Sequence, residues 1–367
     1  NAGDDARELT FEIAGKTVKS ITLEAGKAKA FGIQLYGGTA LTIKSGEGES
    51  TLVMEGARFT LKKADEEYKP GTEPTGTASE KFAAWMNDLS TLPVSFMYDD
   101  VKYFGLGGDD FTEVSRQTKD TDKAKQTLVT VKHKASGVDI TLNAVLYPDY
   151  DAYEWVLYFT NNTENNTGVF SELRGAEVYF YGNDPVLSGL TSDSNGGSNY
   201  NYYNEYTEQV DKQLYYEANQ GKSTFQVFPY YNLSTSDNGG TFISASWGGR
   251  YYNNFEPCEA NGKQAVRFTA AQLDLNTYLA PGETIRTPLV AFVEYDKNTG
   301  QTGISNIWRK WFMDCNMRKP MDELIKPMIT ASSSWIYNCM VTATEQSQID
   351  AIESYLNHGI QLDYWWM

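Results

Sequence analysis

Apolar and polar residues alternate with a period of two along much of the first 295 positions. Thr127-Leu-Val-Thr-Val-Lys-His133 largely alternates, Ala135-Ser136-Gly137 turns the chain, and Val138-Asp-Ile-Thr-Leu-Asn-Ala-Val-Leu146 alternates back, which predicts a β-hairpin. Tyr153-Glu-Trp-Val-Leu-Tyr-Phe-Thr160 predicts another strand, closed by the turn-rich residues 161–168. Residues 224–228, 240–247, 265–275 and 287–295 continue the series. Many strands at short spacing, with no helical period between them, predict a large antiparallel sandwich. Two stretches interrupt it. Residues 65–79, rich in Lys, Glu, Pro, Thr and Gly, read as a mobile loop, and residues 191–206 are packed with Ser, Asn, Gly and Tyr. No internal repeat is present.

After Asp296 the period changes. Ile304, Ile307, Trp308, Trp311 and Phe312 fall at i, i+3, i+4, i+7 and i+8, which predicts an amphipathic helix over 303–313 that ends before Pro320. An extended segment at 327–335 follows. Thr342 and Glu345 have the spacing of a capping box, ahead of a helix whose apolar face carries Ile349, Ile352, Tyr355 and Leu356. Gly359 suits the position just past the helix end. Strand, helix, glycine and a second apolar strand make the opening of a βαβ unit. The final run, 359–367, ends on Trp365, Trp366 and Met367. An exposed strand of that kind is an aggregation template, so the sequence is expected to be a portion of a longer protein.

Composition removes several functions. The 367 residues carry 48 acidic against 31 basic side chains, a formal charge of −17, where nucleic-acid binding needs a basic footprint. No apolar stretch approaches the ~20 residues that span a bilayer. With only His133 and His358, a His-based metal site or a Ser-His-Asp triad has little to build on. Cys258, Cys315 and Cys339 are far apart and odd in number, so buried free thiols are expected rather than a metal site or a disulfide framework. Aromatics reach 14%. Most are expected in the core, though aromatic faces also suit carbohydrate.

Three segments, in order, carry a resemblance. Phe228-Pro-Tyr-Tyr-Asn-Leu233 is followed by Gly239-Gly-Thr-Phe-Ile-Ser-Ala-Ser-Trp-Gly-Gly-Arg-Tyr251; then comes Trp308-Arg-Lys-Trp-Phe-Met-Asp-Cys-Asn-Met-Arg-Lys-Pro320; last are Ser333-Ser334-Trp335 and Leu362-Asp-Tyr-Trp-Trp-Met367. Together they resemble the glycoside hydrolase family 36 α-galactosidases over most of the second half of the chain. Ser333 stands where the family commonly has Asn, and the Trp365-Trp366 pair is not universal there. The resemblance implies a mainly β fold: an N-terminal β-supersandwich over 1–300, a helical linker over 301–328, and the start of a (β/α)8 TIM barrel over 329–367. It also implies a retaining glycosidase that needs no cofactor and no metal and acts on α-galactosyl oligosaccharides or glycans. Its catalytic Asp pair would lie late in the barrel, so no catalytic residue is expected here.

Candidate sugar contacts on this basis are Trp335, Trp366 and Trp247. Trp335 follows the first barrel strand, at the end where functional residues gather. Trp365 and Trp366 point to opposite faces of one strand, so at most one reaches a pocket. Asp363 stands at that strand's start, the end of a barrel associated with stability. Asp109-Asp110, after Gly107-Gly108, reads as a solvated turn. The other readings are a carbohydrate-binding or oligomerising sandwich module without catalysis, assembling as a homo-oligomer through the sandwich, and an α-N-acetylgalactosaminidase of the same clan. An exported bacterial protein, periplasmic or secreted with its signal removed, is expected from composition and sugar chemistry. The enzyme reading predicts an Asp-x-Gly-Trp motif encoded directly after Met367, with two further strand-end Asp codons downstream. Sequencing the gene past that point tests this, and a stop codon there would sink it.

Overall fold

The computed structural model describes residues 5–13, 16–25, 40–45, 48–53, 76–192, 203–218, 221–299, 301–317, 319 and 327–366. Most of the expected loop at 65–79, the centre of the one at 191–206, and Met367 lie outside them. Contacts divide the chain into two units, Asn1–Lys69 and Pro70–Met367. In the first, β1 (Arg7–Ile13), β2 (Lys16–Leu23), β3 (Ala40–Ser45) and β4 (Gly48–Val53) form an antiparallel sheet of order β2-β1-β3-β4. Phe11, Ile21 and Leu41 make its small core.

The second unit opens with helix α1 (Ala78–Asn87), then β5 (Ser95–Tyr98), β6 (Val101–Phe104), β7 (Phe111–Asp120), β8 (Lys125–His133), β9 (Asp139–Tyr147) and β10 (Ala152–Thr160). Next come β11 (Phe170–Tyr181), β12 (Val186–Leu190), β13 (Glu205–Gln209), β14 (Leu214–Glu217), β15 (Tyr230–Thr235) and β16 (Gly239–Ser246). The series continues with β17 (Tyr251–Ala260), β18 (Lys263–Gln272), β19 (Asn276–Thr277), β20 (Thr284–Arg286) and β21 (Leu289–Tyr295). These strands form two antiparallel sheets. One is ten-stranded, in the order β13-β12-β15-β16-β21-β10-β9-β8-β7 with β20 on β10; the other is seven-stranded, β14-β17-β18-β11-β5-β6 with β19 on β11.

The inward residues of both sheets share one core that includes Trp155, Phe159 and Phe292 from the larger sheet and Phe96, Phe170, Phe255 and Phe268 from the smaller. Strands β8 and β9 show the predicted alternation, with Val129, Val131, Ile140 and Leu142 inward. Strand β10 is apolar on both faces because both are covered. Tyr153, Trp155 and Leu157 face the core, while Ala152 packs under the helix α2 (Gln301–Trp311) with Trp311, Tyr147, Ala291 and Val293. At its end α2 widens into a π-turn, Phe312–Asn316, where Asp314 accepts the Tyr150 hydroxyl at 2.6 Å. The expected helix at 303–313 is therefore present, shifted by two residues at its start and tied to the sheet.

Trp155 links the layers. A bulge between Arg174 and Ala176 takes Gly175 out of the β11–β18 ladder, and its carbonyl accepts the Trp155 indole N–H at 2.7 Å. A Cβ on Gly175 would lie 2.8 Å from the Pro288 carbonyl oxygen, so only glycine fits the approach.

Helix α1 corrects the expectation of unbroken β structure. Thr77 and Glu80 form a reciprocal capping box, and Ala78, Phe82, Trp85 and Met86 give the buried face. Trp85 meets Tyr153 and Trp155 edge-on at 5.4 and 5.6 Å. Residues 224–228 also differ: only Val227 bridges, to Thr191, and the strand starts at Tyr230, past Pro229. The thiols are unpaired, but Cys258 and Cys315 are only half-buried and Cys339 is exposed.

The outer face of the smaller sheet is ionic. Glu177 is fully buried there, accepting from Lys102 at 2.9 Å, Arg174 at 3.1 Å and the Ser95 hydroxyl. Burial raises its pKa, yet Arg174 and Lys102 outweigh that and bring it down to about 2. Lys102 fares differently: burial together with repulsion from Arg174 and Arg267 outweighs the pull of Glu177 and lowers its pKa. Glu177→Ala is expected to cost about 1–3 kcal/mol, because it takes their buried acceptor from the half-buried Lys102 and Arg174 and from the buried Ser95 hydroxyl; a lower urea midpoint at unchanged slope checks this. The folded carboxyl titrates near 2 and the free one near 4.5. Its stabilisation is accordingly full above pH 4.5 and disappears as pH falls toward 2.

Candidate functional site

The end of the chain folds as a unit of different character. Strand β22 (Thr330–Ser332) leads through turns to helix α3 (Glu345–Asn357), and β23 (Tyr364–Trp366) returns parallel to β22. Ala331 pairs with Trp365 and Ser332 with Trp366. A parallel pair needs a crossover, which α3 supplies. The helix is capped by Thr344, with Ser347 reciprocating, two residues later than the Thr342–Glu345 spacing suggests. Gly359 takes φ +74° just past its end, as expected of a glycine there.

Asp363 fastens the start of the unit. Its carboxylate accepts the Ile329 amide at 2.9 Å, and its own amide donates to the Ile329 carbonyl at 2.9 Å. That employment is structural. At the other end, the Gln348 side-chain oxygen accepts two donors, the Ser333 hydroxyl at 2.8 Å and the Trp365 indole N–H at 3.1 Å. Gln348 and Ser333 are both buried. One helix residue thus fixes the ends of both strands, and Tyr355 adds an edge contact to Trp365 at 6.1 Å. Nothing in the sequence marks Gln348, which lies between ordinary helix formers; only the parallel pairing brings its partners together.

The candidate tryptophans fall in two places. Trp335 lies in the turns after β22 and is 91% exposed, and Trp366 ends β23 at 73% exposed. Both belong to the C-terminal side of the parallel pair, while Trp365 turns the other way onto α3, as strand alternation requires. Beyond Trp335, the residues Asn338, Cys339 and Met340 take three consecutive positive φ values of 48°, 52° and 71°. Such left-handed runs are costly for residues with a Cβ. Trp247 sits apart in the sandwich, at the end of β16. The Arg286 guanidinium lies 4.4 Å over its ring, and a Cβ on Gly249 would stand 3.0 Å from the indole. Its environment is that of a packed cation–π pair. Among the described residues no group of three His, Cys, Asp or Glu side chains is placed to hold a metal ion, and no helix is long and apolar enough to cross a membrane.

No protein-family model and no curated protein sequence matches the chain. Solved structures do. A variant of the family 36 α-galactosidase AgaA from Geobacillus stearothermophilus, in complex with raffinose, superposes with a TM-score of 0.54 at 16% identity, over 74% of this chain and 38% of that one. AgaB from the same organism gives 0.54 at 14% identity, over 88% and 48%. The α-galactosidase from Lactobacillus brevis gives 0.54 at 13%, over 90% and 47%. The chain therefore has the fold of the family 36 α-galactosidases over most of its length, and spans less than half the length of these enzymes.

Gln348→Leu removes the acceptor that Ser333 and Trp365 share, a loss of about 1–3 kcal/mol for buried donors left unpaired. Amide hydrogen exchange over residues 330–333 and 364–366 is expected to quicken by about tenfold or more, with β16 and β21 unchanged.

Proposed function

We propose that this chain is the N-terminal part of a retaining α-galactosidase-like glycoside hydrolase. On this reading residues 1–300 supply the sandwich region, 301–328 the linker, and 329–367 the opening of a (β/α)8 barrel with β22 as its first strand. The observation that carries the proposal is the parallel β22–α3–β23 unit following an antiparallel sandwich whose fold is that of the family 36 enzymes. Active sites of such barrels lie at the C-terminal ends of the parallel strands, the side to which Trp335 and Trp366 belong. The indole faces would pack on the apolar C–H face of a galactosyl ring, with α-galactosyl oligosaccharides as the substrate class; raffinose is the ligand named for AgaA. Trp247 is assigned a lesser contact, since one face of its ring is already taken by Arg286.

Retention needs two carboxylates about 5–5.5 Å apart, one attacking the anomeric carbon while the other protonates the leaving oxygen. The Asp363 carboxylate is engaged with the Ile329 amide at the start of its strand, so the pair is assigned to later barrel strands. Export to a periplasmic or extracellular location fits this chemistry and belongs to the same proposal.

The test uses an aryl α-galactoside. Residues 1–367 alone are expected to give no turnover, whereas the full gene product releases galactose with its anomeric configuration retained, as followed by NMR. In that product Trp335→Ala should raise KM about 2- to 12-fold, the worth of one aromatic contact. Turnover by residues 1–367 alone would refute the placement of the catalytic pair, and an inactive full product would refute the enzyme reading.

A further inference from the structure

We infer that His133 is an acid-operated latch on the edge of the sandwich where the chain crosses from the smaller sheet to the larger. Strand β6 ends one sheet and β7 begins the edge of the other, so residues 105–110 bridge the two layers. His133, the last residue of β8, is fully buried beneath that crossing. Its ring is walled by Tyr103 at 4.2 Å, Phe96 at 5.2 Å, Phe111 at 5.3 Å and Tyr98 at 5.5 Å between centroids. Nδ1 lies 2.8 Å from the Ser136 hydroxyl, and Nε2 has no hydrogen-bond partner among the described residues.

This box suits an uncharged imidazole and not a cation. The charged groups around it offer little compensation. From the crossing segment, Asp110 is the one carboxylate that pulls on the ring. From β5 and β6 the titratable neighbours are the hydroxyls of Tyr98 and Tyr103. On its own strand and the next residue the neighbours are Lys132, paired with Asp139 of β9 at 2.6 Å, and Lys134, which donates to the Asp109 carbonyl. Desolvation accordingly lowers the His133 pKa to about 4 against the opposing pull of Asp110.

Protonation must then expel the ring or open the box. What it would loosen is specific. Lys134 donates its amide to the Asp110 carbonyl at 2.9 Å, and Phe111 pairs with His133 in the ladder. The crossing also runs hard against residues 89–90, where a Cβ on Gly105 or Gly107 would lie 2.4 and 2.5 Å from Ser90 backbone atoms. A cleft of about 200 Å³, lined in part by Leu106, Gly108, Phe111 and Val131, lies alongside and gives the segment room to move. Acid therefore unfastens the crossing, residues 105–111, while the Glu177 network, which titrates lower and ties Ser95 of β5 and Lys102 of β6, still holds the smaller sheet.

Hydrogen exchange of residues 105–111, corrected for intrinsic rates, tests this at pH 7.5 and pH 5.0. A group at 6.5 when released and about 4 when enclosed shifts the open–closed balance about 30-fold over that interval. Protection should fall by that order in 105–111 and stay level in β16. His133→Phe, which keeps an aromatic filler without the charge, should abolish the difference. Because the chain has two histidines, the imidazole C–H signal of His133 can be followed separately from that of His358, and it should titrate well below 6.5. A His133 titration at or above 6.5 overturns the proposal, as does acid loosening that persists in His133→Phe or is missing from the wild type. Should the Phe variant fail to fold, the wild-type titration decides alone.

Discussion

The hydrogen bond from the Trp155 indole to the Gly175 carbonyl is the constraint around which the sandwich is arranged. A carbonyl in a regular ladder is already engaged, so the larger sheet can reach one in the smaller only where a bulge frees it. Gly175 supplies that carbonyl and leaves space for the backbone at Pro288. With the indole fixed, Tyr153 stacks on it at 5.7 Å and 7°, Phe292 tilts against both, and Trp85 closes the open side from α1. One turn away on the helix, Lys81 reaches Glu294 of β21, which also accepts the Tyr153 hydroxyl at 2.7 Å. Helix, bulge and two sheets are thus keyed to a single ring.

The two outer faces of this sandwich are finished in opposite ways. The larger sheet carries α2, and apolar contact with Trp311 covers Ala152 and Val293. The smaller sheet is closed by its own long side chains, folded over Glu177. Apolar cover is indifferent to pH, whereas an ionic one is not. The larger sheet's edge strand β7 uses charge in another way. Glu113 and Arg116 pair across a bulge, and Arg116 caps the carbonyl of Met86 at the end of α1. Charge and a bulge on an edge discourage pairing with a second chain.

How much of this was legible in the sequence depended on whether a residue's environment is local. The β8–β9 hairpin is read directly from alternation, because one face of each strand meets the core and the other does not. Strand β10 reads as a near-continuous apolar run because α2 lies outside it, and the run could not say so. Helix α1 hides behind a stretch of loop composition, although its Thr77–Glu80 capping pair is visible in retrospect. Residues 224–228 have strand-like composition, but Pro229 moves the pairing register onward to Tyr230. In the βαβ unit, the opposite facing of Trp365 and Trp366 follows from geometry alone. The shared acceptor at Gln348 and the left-handed run at 338–340 do not, because each depends on residues brought together only by the crossover.

The distribution of indoles has a practical consequence. Trp85, Trp155 and Trp311 are sealed in apolar surroundings, while Trp335 and Trp366 stand in water. Emission from the sealed set is therefore blue-shifted and from the exposed pair red-shifted, with the half-buried Trp247, Trp308 and Trp365 between them. The two extremes of the emission band thus carry separate reports, the blue edge on the packing of the sandwich and its helices and the red edge on the surface of the βαβ unit, without the introduction of a dye.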